Sequence, residues 1–220
     1  MPLRIGIDVG GTFTDLVAYD PERRELHEHK ILTTSSQPSL GILTGLRQLL
    51  ERGGYASSAL EAATIIHGTT LVANALIERK GASTALITTD GARDILETGK
   101  ENRYDPYDRL LTRPSPLVPR RLRRAVGERL SATGAVVAAL DEDEVSRVLQ
   151  ELVADGVEAV AVCFLHSYQN PVHEHLVRSI AASLGLRIYL SLSSDIDAEI
   201  GEFERVTATA ANATIQPIAE

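Results

Sequence analysis

Apolar and polar residues alternate over residues 3–9 closely enough for a half-buried strand, and the run ends at Gly10-Gly11. A second run, residues 12–19, is rich in Thr, Phe, Leu and Val. Two glycines between two such runs predict a tight hairpin, because both can take a positive φ without steric cost. Asp20-Pro21 predicts the next turn and residues 25–33 a third strand, so the chain is expected to open as a three-stranded antiparallel meander.

From Ser39 the period changes. Leu43, Leu46, Leu49 and Leu50 recur at helical spacing until Gly53-Gly54. Residues 63–67 then predict a short buried strand, residues 71–79 a second helix stopped by Gly81, and Ala85-Leu86-Ile87-Thr88 the start of a third βα unit. Residues 97–117 are polar, with Tyr104, Asp105, Pro106, Tyr107, Pro114 and Pro116, and read as a long loop of the kind that is often functional. Asp141 and Glu144 have capping-box spacing ahead of an apolar stripe of Val145, Val148, Leu149 and Leu152, and Gly156 stops that helix. Residues 157–165 form a continuous apolar run, the pattern of a strand buried on both faces of a parallel sheet. Asn170 and Pro171 start another helix that Gly185 ends, followed by a strand at 186–190 and a last helix over about 200–215. Strands alternating with helices after a meander mean α/β architecture. There is no internal repeat, and the final residues, Gln216 to Glu220, read as part of something longer.

Composition narrows the function classes. Twenty-two basic against 30 acidic residues give a formal charge of −8, which argues against nucleic acid or an anionic membrane as the main partner. Aromatic residues are 4 % of the chain and Trp is absent, so base-stacking platforms are not expected. The single cysteine, Cys163, excludes an internal disulfide framework and fits a reducing cytoplasm. The N-terminal apolar stretch is short and interrupted by Arg4 and Asp8, so it is neither a signal peptide nor a membrane span.

The first candidate site is Asp8-Val9-Gly10-Gly11-Thr12-Phe13-Thr14-Asp15. Two glycines permit close backbone approach to a phosphate tail. Turn amides and the hydroxyls of Thr12 and Thr14 supply donors, and Asp8 or Asp15 supplies an acid for a hydrated Mg²⁺. The bland alternative is a hairpin with ordinary turn chemistry. The second is His67-Gly68-Thr69-Thr70 with Asn74, where a strand hands over to a helix and free amides could meet an anion or carbonyl oxygen. Its alternative is a helix cap and a core histidine. The third is Arg93-Asp94 with Glu97, Glu101, Asn102 and Arg103, a charged face leading into the long loop. His173 and His175 would point about 200° apart on a helix and cannot share a metal ion. Arg120, Arg121, Arg123 and Arg124, without interleaved aromatics, read as a solvated strand edge, and Cys163 as a small core residue.

Asp8 to Asp15 resembles the first phosphate-binding loop of the actin/sugar kinase/Hsp70 ATPase superfamily; no Gly-Lys-Ser/Thr of a Walker loop is present. Within that superfamily the chain is similar to the hydantoinase A/5-oxoprolinase family. The likeness continues in His67-Gly68-Thr69-Thr70, in Asn74 to Gly81 and in Gly91-Ala92-Arg93-Asp94-Ile95-Leu96-Glu97. It extends to His166-Ser167-Tyr168-Gln169-Asn170-Pro171 and to Glu202-Phe203-Glu204-Arg205 with Asn212. The resemblance implies an actin-like (ribonuclease H-like) ATPase lobe. Residues 1–81 would form its phosphate-loop part, 82–190 the rest of the lobe or an inserted α/β subdomain, and 191–220 a connector toward a second lobe. It further implies ATP and Mg²⁺, with Asp8 holding the ion through water, and with Gly10, Gly11 and Thr12 on the terminal phosphates, supported by Thr14 and Asp15. His67, Gly68, Thr69, Thr70 and Asn74 would face nucleotide or substrate, and Arg103 could clamp a substrate carboxylate. The implied reaction is ATP-dependent opening of a cyclic amide in the cytoplasm with a B-type partner subunit or domain, the isolated fragment being inactive. The alternatives are an ATP-dependent carboxylase of the acetone or acetophenone type, a sugar-kinase-like phosphotransferase, or a non-catalytic ATPase-like module.

Overall fold

A computed structural model describes residues 2–34, 38–100, 107–108, 110 and 114–219. The chain divides into two compact units, Met1–Glu78 and Arg79–Glu220.

In the first unit, β1 (Arg4–Val9), β2 (Phe13–Asp20) and β3 (Glu25–Leu32) form the expected antiparallel meander. Helix α1 (Pro38–Gly53) follows, then β4 (Thr64–Thr69), which pairs parallel to β1, and α2 (Leu71–Ile77). The sheet order is β3-β2-β1-β4. Strand alternation puts Ile5, Ile7, Val9, Leu16 and Ala18 on one face, where they pack with Leu46, Leu49 and Leu50, the apolar stripe of α1. The helix lies over β2 and β3. That placement corrects the expectation of a buried fourth strand: all six residues of β4 are exposed, Ile66 at 69 %. An apolar run states that a strand can be covered; which elements reach it decides whether it is.

The second unit holds a fully parallel sheet of order β10-β9-β5-β6. Its chain order is β5 (Thr84–Thr89), the one-turn α3 (Ile95–Thr98), β6 (Arg123–Val126) and the small hairpin of β7 (Arg129–Leu130) and β8 (Val136–Ala138). Then come α4 (Glu142–Ala154), β9 (Ala159–Cys163), α5 (Val172–Ser183), β10 (Tyr189–Leu192), α6 (Ser193–Ile196) and α7 (Glu202–Ala219). Every residue of β5 and β9 is buried, as expected for central strands of a parallel sheet. Asp141 caps α4 by accepting from the Glu144 amide at 2.9 Å, whereas the Glu144 carboxylate turns to the Gly127 amide at 2.8 Å, so only half of a capping box forms. A Cβ on Gly81 would stand 2.2 Å from Thr214 Cγ2 and 2.5 Å from the Thr214 carbonyl, so only glycine lets this segment pass α7.

The periodicity misses the shortest elements, α3, β6, β7, β8 and α6, and places the last strand early, at 186–190 rather than Tyr189–Leu192. β6 is an edge strand, as the arginine run suggested. Arg123 is not solvated, however: its side chain is fully buried, with Nε and Nη2 donating to the Val118 carbonyl at 2.9 and 2.8 Å and Nη2 reaching Glu97 at 3.1 Å. No described helix is long and apolar enough to cross a membrane.

Candidate functional site

The β1–β2 hairpin closes where the Gly10 amide donates to the Phe13 carbonyl at 2.9 Å. Neither Gly10 nor Gly11 takes a positive φ, which corrects the expected reason for the glycine pair. Space is the reason instead. A Cβ on Gly10 would sit 3.0 Å from the Phe13 carbonyl oxygen, and one on Gly11 3.3 Å from Asn74 Nδ2. Gly11 and Thr12 are exposed, and among the described residues their amides have no intramolecular acceptor. Two N–H groups at a bare turn are what an anion needs.

Beneath the turn the hydroxyls are committed. Thr33 Oγ1 donates its single proton to the Gly10 carbonyl at 2.8 Å, so in the 2.9 Å contact with Thr14 it is Thr14 that donates. Thr14 is buried and has no proton left for a ligand, so its place is under the loop. The sequence reading missed Thr33, because only the long-range pairing of β2 with β3 brings it there.

Asp8 and Asp15 are directly opposed across β1 and β2, on the sheet face away from α1. Like charges so placed repel. Lys30, next in register on β3 and 2.9 Å from Asp15, compensates one of them. Asp8 keeps an exposed carboxylate with no partner among the described residues. Its neighbours on that face are Gly6 along β1 and Gly68 across on β4, neither with a side chain, so room remains for a hydrated cation beside the acid. Mg²⁺ keeps several waters and takes one or two carboxylates plus phosphate oxygens, and this donor set fits it.

The second sequence motif is brought to the same place. Parallel pairing sets Gly68 beside Asp8 and Thr69 beside Val9. The Val9 carbonyl accepts from Thr69 Oγ1 at 3.0 Å and from the Thr70 amide at 3.1 Å, locking the β4–α2 corner onto the end of β1. Asn74, one turn into α2, thereby stands over Gly11, and Thr70 Oγ1 lies near Gly10. His67 pairs with Ile7 and so projects from the opposite face to Asp8 and Gly68. Its exposure also differs from the core histidine held as the alternative. Arg103 lies outside the described residues.

Of the later motif residues, Ser167 and Arg205 are buried and join a polar network at the carboxyl end of the second unit's sheet, whereas Gln169 and Glu204 are exposed. Glu174, fully buried, accepts from the Phe164 amide at 3.0 Å, Ser193 Oγ at 2.6 Å and the Ser194 amide at 2.8 Å. Arg205, also buried, donates to the Phe164 carbonyl at 2.7 Å and lies over the Tyr168 ring. His166 takes a left-handed φ of 61° to make this corner. Glu128 links Thr89 to His173 Nδ1, the latter at 2.7 Å, and His175 plays no part in it. Burial pushes the Cys163 thiol up to about 11, so it stays protonated and unreactive. Asn212 Nδ2 donates to Ser191 Oγ at 2.9 Å. These groups tie α5, α6 and α7 to the ends of β9 and β10.

Residues 4–185 match the family described as the hydantoinase/oxoprolinase N-terminal region. The chain belongs to that family. An uncharacterized protein of Methanocaldococcus jannaschii is 36 % identical over 99 % of the chain and 32 % of its own length. The caprolactamase subunit alpha of Pseudomonas jessenii is 32 % identical over 98 % of the chain and 31 % of its own length. The crystal structure of that ATP-dependent caprolactamase superposes with a TM-score of 0.84 at 31 % identity, covering 98 % of this chain and 32 % of the other. A nucleotide-free acetone carboxylase, described in terms of ATP-dependent acetone carboxylation, gives a TM-score of 0.87 at 29 % identity, with 97 % and 32 % covered. This hydantoinase/oxoprolinase-type chain therefore spans about a third of the length of each of these relatives, and shares with the two solved structures an α/β fold built on mixed and parallel sheets.

Proposed function

We propose that this chain carries the phosphate-binding edge of an ATP-dependent enzyme that activates an amide carbonyl, the lobe being of the actin-like kind. The single observation that carries the reading is the hairpin edge itself. Free Gly11 and Thr12 amides, the Asn74 carboxamide and an uncompensated Asp8 border one exposed edge on which Gly6 and Gly68 leave room. Mg²⁺ bound there would neutralise phosphate charge, with Asp8 holding it through water and Asp15 kept in place by Lys30. Gly11, Thr12 and Asn74 would donate to the terminal phosphates, and the tethered Thr14–Thr33–Gly10 chain would keep the turn rigid. Phosphoryl transfer depends mostly on positioning and electrostatic stabilisation, which a rigid turn suits.

In the proposed reaction the terminal phosphoryl group of ATP passes to the amide oxygen. ADP leaves, water adds to the activated carbon, and the ring C–N bond breaks with the nitrogen departing as the amine. A second water then displaces phosphate from the resulting acyl phosphate to leave the ring-opened carboxylate. Kinship with a caprolactamase and with the oxoprolinases supports a cyclic amide. The acetone carboxylase match favours a second reading, in which the activated carbonyl compound is carboxylated. The residues 1–81, 82–190 and 191–220 would serve as phosphate edge, remainder or insert, and connector, within a protein of the relatives' length working in the cytoplasm with a partner subunit. The test is Asp8→Ala in the assembled enzyme. It should abolish Mg-ATP turnover with the fold intact, and unaltered turnover would refute the assignment; bicarbonate dependence separates the two branches.

A further inference from the structure

The sheet face that carries Asp8 also carries Lys30. Register sets Asp8, Asp15 and Lys30 in one row across β1, β2 and β3. The Lys30 ammonium meets Asp15 at 2.9 Å and stands 5.1 Å from the centre of the Phe13 ring, so an ion pair and a cation–π contact fix it at two points. Glu28 shares that face two residues back along β3, and no ion pair joins it to Lys30 among the described residues. The lysine thus reaches across to β2 rather than along its own strand.

Two carboxylates directly opposed on neighbouring strands, their Cβ atoms about 5 Å apart, are close enough to share one divalent ion. Such a pair would hold a hard cation with no help from a nucleotide. Bonded to Lys30, Asp15 is neutralised and turned toward β3, which leaves the ion a single free carboxylate, that of Asp8. Gly6 and Gly68, the other neighbours of Asp8 on this face, bring no side-chain ligand. Further anionic ligands for the ion must therefore come with it.

We propose that Lys30 is a specificity-determining residue of the phosphate edge: it withholds Asp15 from the ion, so that a divalent cation is held firmly only when it arrives with phosphate oxygens. This rests on the reading of Asp8 as the ion-binding acid. Phosphate oxygens take the coordination places that a second carboxylate would fill, while the Gly11 and Thr12 amides meet the same phosphate tail. With Asp15 released, bare cations would occupy the edge and compete with the cation–nucleotide complex.

The test is Mn²⁺ binding to the full chain without nucleotide, followed by loss of the free-ion EPR signal. Mn²⁺ takes carboxylate and water ligands as Mg²⁺ does. Lys30→Met keeps an apolar stem beside Phe13 and removes the charge. It should tighten Mn²⁺ binding about tenfold, as for one more carboxylate about 4–5 Å from a divalent ion in a water-like, salt-screened dielectric. Lys30→Arg should bind as the parent does, and adding Asp15→Asn to Lys30→Met should remove the gain. Circular dichroism checks that each variant is folded. Unchanged affinity in a folded Lys30→Met, or a gain that survives Asp15→Asn, would overturn the proposal. Asp8→Asn separates the two levels. Binding lost in Asp8→Asn while Lys30→Met matches the parent removes the role of Lys30 alone, whereas parent-like binding in Asp8→Asn refutes the ion-binding acid and this proposal with it.

Discussion

Asp8→Asn should make the chain slightly more stable while removing its response to Mg²⁺. Asp8 and Asp15 are cross-strand partners on one exposed face, and a like-charge pair in that position costs about 0.2–1 kcal/mol. Lys30, 2.9 Å from Asp15, screens part of the repulsion, which puts the expected relief in the lower half of that range, about 0.5 kcal/mol. At about 2–4 °C per kcal/mol for a chain of this size, the unfolding midpoint should rise by about 1–2 °C. In the unaltered protein, millimolar Mg²⁺ should give a rise of similar size by occupying the space between Gly6, Asp8 and Gly68, and the variant should show none. Differential scanning calorimetry with and without Mg²⁺, at constant ionic strength set with KCl, measures both. A variant that melts lower than the parent, or one that keeps the full Mg²⁺ response, would refute the assignment of Asp8 as an uncompensated cation-binding acid.

Gly81→Ala should lose about 3 kcal/mol or more in urea unfolding, because the new methyl meets the Thr214 backbone, which cannot move without α7; Thr214→Ala in the same chain should recover only part of it. Cys163 should resist a thiol reagent at pH 8 in the folded protein and react at once in denaturant, since it is 4 % exposed and its thiol is pushed up to about 11. The Asp20 carboxyl is held below its ordinary value, first by the Arg23 amide and also by Tyr55 and the Glu22 amide, against the opposing effect of desolvation. A depressed folded-state value means its contribution is present above about pH 4 and is lost as pH falls through the lower folded value. Asp20→Asn should accordingly flatten the acid limb of the stability profile, read by unfolding at pH 2–6, and leave the neutral region's slope unchanged.

Much of this protein is written in local pattern. Alternation in residues 3–9 and 12–19, the leucine stripe of α1, the Asp141 cap and the unbroken apolar run before Cys163 each report a short-range preference. Those elements form where periodicity places them, because the physical cause lies within a few residues of chain. The Asp8–Asp15 string and the His67–Asn74 segment stand out for their composition. Short β6 and β10 were missed or displaced, since a strand of four residues is stabilised by its neighbours in the sheet and hardly by its own sequence.

Tertiary structure decided what those segments mean together. Parallel pairing of β1 with β4 sets Gly68 beside Asp8 and carries Asn74 over Gly11, a juxtaposition across some 60 positions that no spacing rule encodes. It decided that the two glycines serve close approach rather than a positive φ, and that Thr14 spends its proton on Thr33. It left β4 bare although Ile65 and Ile66 are apolar, and it buried Arg123 although its neighbours are charged. Sequence fixes which groups a chain can offer and where it prefers to bend. Which groups face one another, and which are left without a partner, depends on long-range pairing that only the folded backbone creates.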